Sequence, residues 1–383
     1  MRFSVLLGVL LVCVPPASAQ GKARARDLGI PFPGEPGAGN AITDVPGVEV
    51  GHTTLIRGEG PLRVGQGPVR TGVTVVLPRG KQGLADPVFA GYFSLNGNGE
   101  MTGMHWVEEG GFLETPLAIT NTHSVGTVRD AMIAWQHRQG AFFQSFLMPA
   151  VAETFDGWLN DVNGFHVKPE HVTAALESAA GGRVAEGNVG GGTGMMCYGF
   201  KGGIGTASRR AAAYTVGALV QANFGRRDQL LIAGVPVGQE LACSSALPCR
   251  ADASGRHGWD GSIIVAVATD APLAPHQLKR LARRAALGLA RTGATSSNGS
   301  GDLFLAFSTA NPGAAKASPA AVTLLANDAL NPLFDAVVYA TEEAILNALV
   351  AAETMTGVDG HRAVALPHGE VQALLRRHGR LAK

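Results

Sequence analysis

Short apolar runs rich in β-branched residues, broken by Gly, Pro and Asn, recur along the chain and read as strands. Residues 71–77 (TGVTVVL), stopped by Pro78, form one such run, and residues 117–122 (LAITNT) form another. Residues 40–52 read as turn, strand, turn, and residues 90–100 (AGYFSLNGNGE) carry an Asn-Gly-Asn-Gly signal that predicts a hairpin. The run at 149–153 (PAVAE) predicts a strand that delivers Glu153 into the loop 154–164, and residues 214–223 (YTVGALVQAN) predict a strand ending at Asn223. Residues 263–268 (IIVAVA), closed by Thr269-Asp270-Ala271-Pro272, have the pattern of a strand buried on both faces. Residues 303–308 repeat that pattern after the polar stretch 296–302 (SSNGSGD).

Helical periodicity appears between and after these runs. Residues 125–139, ended by Gly140, and residues 168–180 predict helices. Pro275 opens an amphipathic helix with Leu278, Leu281, Ala282, Ala285 and Leu289 on one stripe. Lys279, Arg280, Arg283 and Arg284 lie opposite, a basic face expected to be solvated. Residues 319–327, 332–354 and 368–381 predict further helices. Many strands first, then a helix between two strands, then helices: this order predicts an α+β fold of stacked sheets with helices outside. Residues 187–209 contain nine glycines. Their spacing does not fit a phosphate-binding G-x-x-x-x-G-K-[ST] loop, so the stretch reads as a close-passing loop followed by the strand of a hairpin.

Composition narrows the class. The chain has 383 residues, 46% hydrophobic and 16% charged, with a formal net charge of +1. That supplies a large core and offers no electrostatic case for nucleic acid or a membrane surface. Residues 1–19 combine Arg2, an apolar run and Ala17-Ser18-Ala19, which predicts a secretory signal and a mature chain starting at Gln20, periplasmic or secreted. No later run is long enough to span a bilayer. In an oxidising compartment, Cys243 and Cys249 have the spacing of a small disulfide loop, whereas Cys197 reads as a buried thiol.

The candidate chemistry sits at the mouth of the 263–268 run. Gly261 removes a Cβ beside the Gly261-Ser262 peptide, so its carbonyl can be approached closely. A hydroxyl held there can attack its own preceding carbonyl, and the α-amine so freed can serve as base for the same side chain. Asp260-Gly261-Ser262 also reads as the plain turn feeding a core strand. A right-handed crossover would bring the mouth of the 303–308 run alongside. Ser300 and Asp302, at alternate positions, would then face Ser262 together, although the same residues are ordinary turn chemistry. No Ser-His-Asp pattern, G-x-S-x-G elbow or H-E-x-x-H motif is present. A nucleophilic serine with an unconventional base is the enzymatic reading that remains.

Eight ordered segments carry a resemblance: RDLGIPFPG, ITDVPGVEVGH, NVGGGTGM, FKGGIGTASR, VQANFGRR, DGSIIVAVATDAPL, HQLKRLARRAALGLARTG and NGSGDLFLAFSTAN. Together they resemble the self-processing serine aminopeptidases, the family of the L-aminopeptidase/D-esterase and the β-peptidyl aminopeptidases. The resemblance implies a four-layer αββα sandwich, similar to N-terminal-nucleophile hydrolases but differently connected, with no metal or cofactor. It implies cleavage at Gly261-Ser262 into a large subunit, 20–261, and a small one, 262–383, sharing one domain and assembling as homo-oligomers. The implied substrates are short peptides, amides or esters with a free N-terminal amine. Ser262 matches the nucleophile, Ser300 and Asp302 its assistants, Asn223 the oxyanion amide, and Glu153 the partner of the substrate ammonium. Phe155 stands where some relatives place a tyrosine, so that hydroxyl is missing or replaced. Two other readings keep the fold: an acyltransferase, whose relatives use threonine, and a non-catalytic periplasmic binding protein that stays uncut.

Overall fold

The β-branched runs pair into two sheets in the computed structural model, which describes residues 22–248, 261–316 and 318–382. The first sheet contains β1 (Glu49–Arg57), β2 (Val69–Leu77), β5 (Leu117–Asn121) and β6 (Ala150–Thr154), in that order across the sheet. The second has the order β4-β3-β12-β11-β10-β9. Its strands are β3 (Val88–Gly97), β4 (Phe112–Leu113), β9 (Gly203–Ala211), β10 (Tyr214–Asn223), β11 (Ser262–Thr269) and β12 (Gly301–Ser308). A minor ribbon, β7 (Met196–Cys197) with β8 (Phe200–Lys201), precedes β9.

Side-chain alternation explains the stacking. On β11, Ile264, Ala266 and Ala268 face the first sheet, joining Val76, Leu117, Ile119 and Ala152 in an inter-sheet core. Ile263, Val265 and Val267 point the other way, into a core built with α5 (Pro275–Arg291) and α6 (Asn331–Val350). The first sheet does the same on its outer side, where Val73, Val75 and Ala118 meet α2 (Val125–Gln139) and α3 (Pro169–Ser178). Period-two strands buried on both faces thus give four layers, αββα, as expected. The remaining helices, α1 (Met104–Gly110), α4 (Val237–Glu240) and α7 (His368–Arg377), lie in connections and at the end of the chain.

The Gly-rich stretch threads close to both sheets. Gly190 N donates to Thr54 Oγ1 at 2.9 Å and Gly191 N to Thr74 Oγ1 at 3.1 Å. A Cβ on Gly191 would collide with the Gln221 side chain and sit 2.6 Å from Ile119 O. Glycine is required there by close passage.

Four local expectations are corrected. Residues 90–100 do not form a hairpin: β3 pairs with β12 and β4, because its apolar residues are buried by distant strands that the turn signal does not encode. Residues 319–327 are not a helix; Asn311 and Thr323 exchange hydrogen bonds at 2.9 and 3.0 Å, and Leu325 N donates to Pro272 O, so this strap bonds to neighbours instead of itself. The last two helices stop at Val350 and Arg377, short of the positions expected. The basic face of α5 is only partly solvated, since Arg284 lies 3.8 Å from the Phe334 ring centroid and Lys279 pairs with Glu108 at 2.6 Å. Cys197 is a fully buried thiol. Cys243 is disulfide-bonded; Cys249, the partner its spacing names, and the signal-like segment lie outside the described residues.

Candidate active site

The β11–α5–β12 crossover places the two polar strand mouths side by side. β11 and β12 run parallel, with Ile263 opposite Asp302. Gly301 N therefore reaches Ser262 Oγ and donates to it at 3.0 Å. Ser300 Oγ lies 2.7 Å from Asp302 Oδ1 and also contacts Gly261 O, the carbonyl that precedes Ser262. Ser262, Ser300 and Asp302 are all buried. Burial pushes the Asp302 carboxyl above its ordinary range, opposed by its hydrogen bond with Ser300. A hydroxyl has one hydrogen and here meets two oxygens. Both contacts are satisfied when Asp302 is protonated and donates to Ser300 Oγ, which donates in turn to Gly261 O. The Gly261 carbonyl is then polarised by an acid two hydrogen bonds away.

The loop that carries Ser300 is held by the segment mistaken for a hairpin turn. Asn96 Nδ2 donates to Ser297 O at 2.9 Å, Asn98 Nδ2 to Gly299 O at 2.8 Å, and Asn98 N to Ser300 O at 3.1 Å. Those asparagines were legible as turn formers, but their partners, about 200 residues further on, were not.

Asn223 closes β10 directly opposite Ser262 in the antiparallel β10–β11 pair. Its Oδ1 accepts from Met196 N at 2.9 Å, and its Nδ2 donates to Phe155 O at 2.9 Å. One amide hydrogen is thus committed, and the second is left for another acceptor. Two residues earlier, Gln221 Nε2 donates to Thr120 O at 3.0 Å and to Thr154 Oγ1 at 2.9 Å. This pins the second sheet to β5 and β6 of the first at the site end. Glu153 is the neighbour of Thr154 on β6, so the pin fixes the distance between carboxylate and serine. A cleft of about 470 Å³ is shared by Glu153, Thr122 and Phe155 with Gly261 and Ser262.

Comparison with known proteins identifies the family. The profile of Peptidase family S58 matches residues 40–363. The chain belongs to peptidase family S58. It is 55% identical to the β-peptidyl aminopeptidase BapA of Sphingosinicella microcystinivorans, over 99% of this chain and 98% of that protein. A second protein of that name, from Sphingosinicella xenopeptidilytica, is 49% identical over 97% of this chain and 95% of its own length. Among solved structures, the L-aminopeptidase D-Ala-esterase/amidase of Ochrobactrum anthropi superposes with a TM-score of 0.85 at 48% identity, covering 94% of this chain and 99% of that one. The PH0078 protein of Pyrococcus horikoshii OT3 gives 0.87 at 46%, covering 94% and 100%. The fold is therefore the Ntn-hydrolase variant of the serine aminopeptidases, and the S58 chain is a hydrolase of the aminopeptidase class.

Within this S58 site, Glu153 has the electrostatics of a cation receptor. Its carboxylate is buried, which raises its pKa. The Thr122 hydroxyl and Glu100 N–H, the latter at 3.1 Å from Oε1, counter that rise by donating to it. The nearby Glu100 carboxylate adds to the rise, and His123 opposes it. A buried carboxylate opening on a cleft favours an ammonium as its partner. Thr122 was not singled out from sequence. Its only signal was its place just after a strand running beside the one that bears Glu153. Asn223 is buried and outside the cleft's lining, as the cross-strand partner of Ser262, which lines it. Among the described residues, no cluster of three or more His, Cys, Asp or Glu can hold a metal.

Proposed function

We propose that this S58 aminopeptidase cuts its own chain between Gly261 and Ser262 and then releases N-terminal residues from short peptides, amides or esters through an acyl-enzyme on Ser262. The observation that carries the reading is the pair of contacts around the scissile bond: Gly301 N on Ser262 Oγ, and Ser300 Oγ on Gly261 O. The first fixes the attacking oxygen and the second draws electrons from the carbonyl it attacks. Attack forms an ester between Ser262 Oγ and Gly261 and breaks the Gly261–Ser262 C–N bond. Water then releases the Gly261 carboxylate and leaves Ser262 with a free α-amine.

That amine, with an ordinary pKa of about 7.7–8.0, takes the hydroxyl proton when Ser262 attacks a substrate, directly or by way of Ser300. Asn223 and backbone N–H groups hold the oxyanion, the substrate amine leaves, and water clears the acyl-enzyme. Glu153 pairs with the substrate ammonium and so selects unblocked N-termini, while Phe155 lines the same cleft without a tyrosine's hydroxyl. Residues 20–261 and 262–383 become the large and small subunits of one domain. Residues 1–19 are removed on export to the periplasm or the medium, and the processed units associate as homo-oligomers. The β-peptidyl aminopeptidases at 55% and 49% identity make N-terminal β-amino acyl amides the first substrate class to assay.

Intact-mass measurement tests the reading. The purified protein is expected as two chains, the second starting at Ser262, and Ser262→Ala as one inactive chain. A second fragment with any other first residue, or a Ser262→Ala protein that still splits, would refute it.

A further inference from the structure

Lys201 lies in β8, far along the chain from Glu153, Ser262 and Ser300, and is fully buried. Its Nζ donates to three backbone carbonyls: Met195 O at 2.7 Å, Gly202 O at 2.8 Å and Gly192 O at 3.3 Å. Burial lowers its pKa to about 7. The cage nevertheless offers three acceptors to three ammonium hydrogens and no donor to an amine lone pair.

The Met195 carbonyl also accepts from Gly202 N at 2.9 Å. The other edge of the same peptide unit is Met196 N–H, which donates to Asn223 Oδ1 at 2.9 Å. In a trans peptide the C=O and N–H point in opposite directions and are joined by resonance. A cation on the oxygen therefore does two things. It fixes the direction of the N–H, and it makes that N–H a stronger donor. The Asn223 side chain is itself an amide, so a stronger donor at Oδ1 polarises it in turn and strengthens the hydrogens on Nδ2. The same bond fixes which end of the Asn223 amide faces Met196 and which faces Phe155 O.

We propose that Lys201 is a positioning residue for the reaction, orienting and polarising the Asn223 amide through the Met195–Met196 peptide. Two amides in series carry the effect of a buried cation to the atom that meets the oxyanion. The role rests on Asn223 being the oxyanion donor. Lys201 itself touches no substrate, and Gly261 O is held by Ser300 and not by Asn223, so self-cleavage does not depend on it.

The test is a double-mutant cycle on the full protein, with Lys201→Met, Lys201→Gln, Asn223→Ala and the Lys201→Met/Asn223→Ala pair. Both Lys201 variants are expected to mature into two chains. Lys201→Met is expected to lose roughly 10- to 100-fold in kcat, less than or equal to the loss of a whole oxyanion donor, with KM within about twofold. Lys201→Gln, which keeps donors but no charge, falls between it and the parent. In the Asn223→Ala background the Lys201→Met change is expected to cost less than about threefold, because coupled residues are non-additive. Additive losses, an effect mainly on KM, or Lys201 variants that stay uncut would overturn the role. Asn223→Ala with unchanged kcat would instead remove the oxyanion assignment itself, and that single variant separates the two failures.

Discussion

Replacing Glu153 with Gln changes one charge and little shape, which makes it the sharpest probe of how this S58 enzyme selects its substrates. The wild-type carboxylate is buried and receives hydrogen bonds from Thr122 Oγ1 and Glu100 N. The glutamine can still accept from Glu100 N, so the local backbone should hold. On its proposed role, what is lost is the pairing with a substrate ammonium inside a cleft of about 470 Å³. Removing one partner of a buried, hydrogen-bonded charge pair costs about 2–5 kcal/mol. At 1.36 kcal/mol per factor of ten, this corresponds to roughly 30- to 5,000-fold in kcat/KM. The assay compares an aminoacyl p-nitroanilide with its N-acetylated form. The parent is expected to discriminate strongly between them, and Glu153→Gln to lose the free-amine activity until the two are nearly equal. The pH profile adds a second readout. Burial raises the Glu153 pKa, and its protonated form cannot pair with a cation, so kcat/KM in the parent falls as pH drops through that raised pKa. Glu153→Gln should lack this acid limb. Self-cleavage should be untouched, since Glu153 makes no hydrogen bond to Gly261. A variant that keeps its activity within about threefold and still prefers a free amine would refute the assignment.

Other outcomes follow from the same geometry. Ser300→Ala removes the donor to Gly261 O and should slow maturation by about 10²–10³, measured as the half-time for conversion of precursor to two chains. With the proton placed on Asp302 so that it donates to Ser300, and with burial raising the Asp302 pKa, maturation is expected to be fastest below that pKa and to slow as pH rises through it. In Asp302→Asn the amide can donate to Ser300 at every pH, which should flatten the profile; a parent rate that climbs with pH would contradict the proton placement. Glu343 accepts from Arg209 at 2.6 Å and from Arg26 at 2.8 Å, with Arg209 almost fully buried. Glu343→Leu strands that guanidinium and should cost about 3–5 kcal/mol, seen as a lower urea midpoint with the kinetics of the remaining folded enzyme unchanged.

The parts of the site that could be read along the chain are those made by neighbours in sequence. The IIVAVA run, the Pro275 helix and the 303–308 run sufficed to place two polar strand mouths together, because a crossover has one favoured hand. Alternation then put Ser300 and Asp302 on one face. Contacts that depend on which distant strand lies alongside were not legible. Asn96 and Asn98 looked like a hairpin turn because turn formers carry no record of a partner 200 residues away. Gln221 gave no signal and Thr122 only its place after a strand, since a buried polar side chain reveals its purpose only once the second sheet is stacked on the first. The strap at 319–327 failed for the converse reason: its composition suits a helix, but bonds to Asn311 and Pro272 outcompete the helical ones.

The ladder between β10 and β11 runs from Asn223–Ser262 to Val216–Thr269, and it joins strands on either side of the Gly261–Ser262 bond. The proposed nick there would leave the folded body intact while erasing the tether that once kept those two strands in register. Before the nick, the partners meet at the high local concentration imposed by one polypeptide. Afterwards, a melted molecule must reassemble from two separate strangers, so recovery from denaturation becomes second order and fades on dilution. Maturation by that cut would therefore behave as a ratchet: the polypeptide would get a single opportunity to fold as a unit, and its later endurance would depend on how slowly it comes apart.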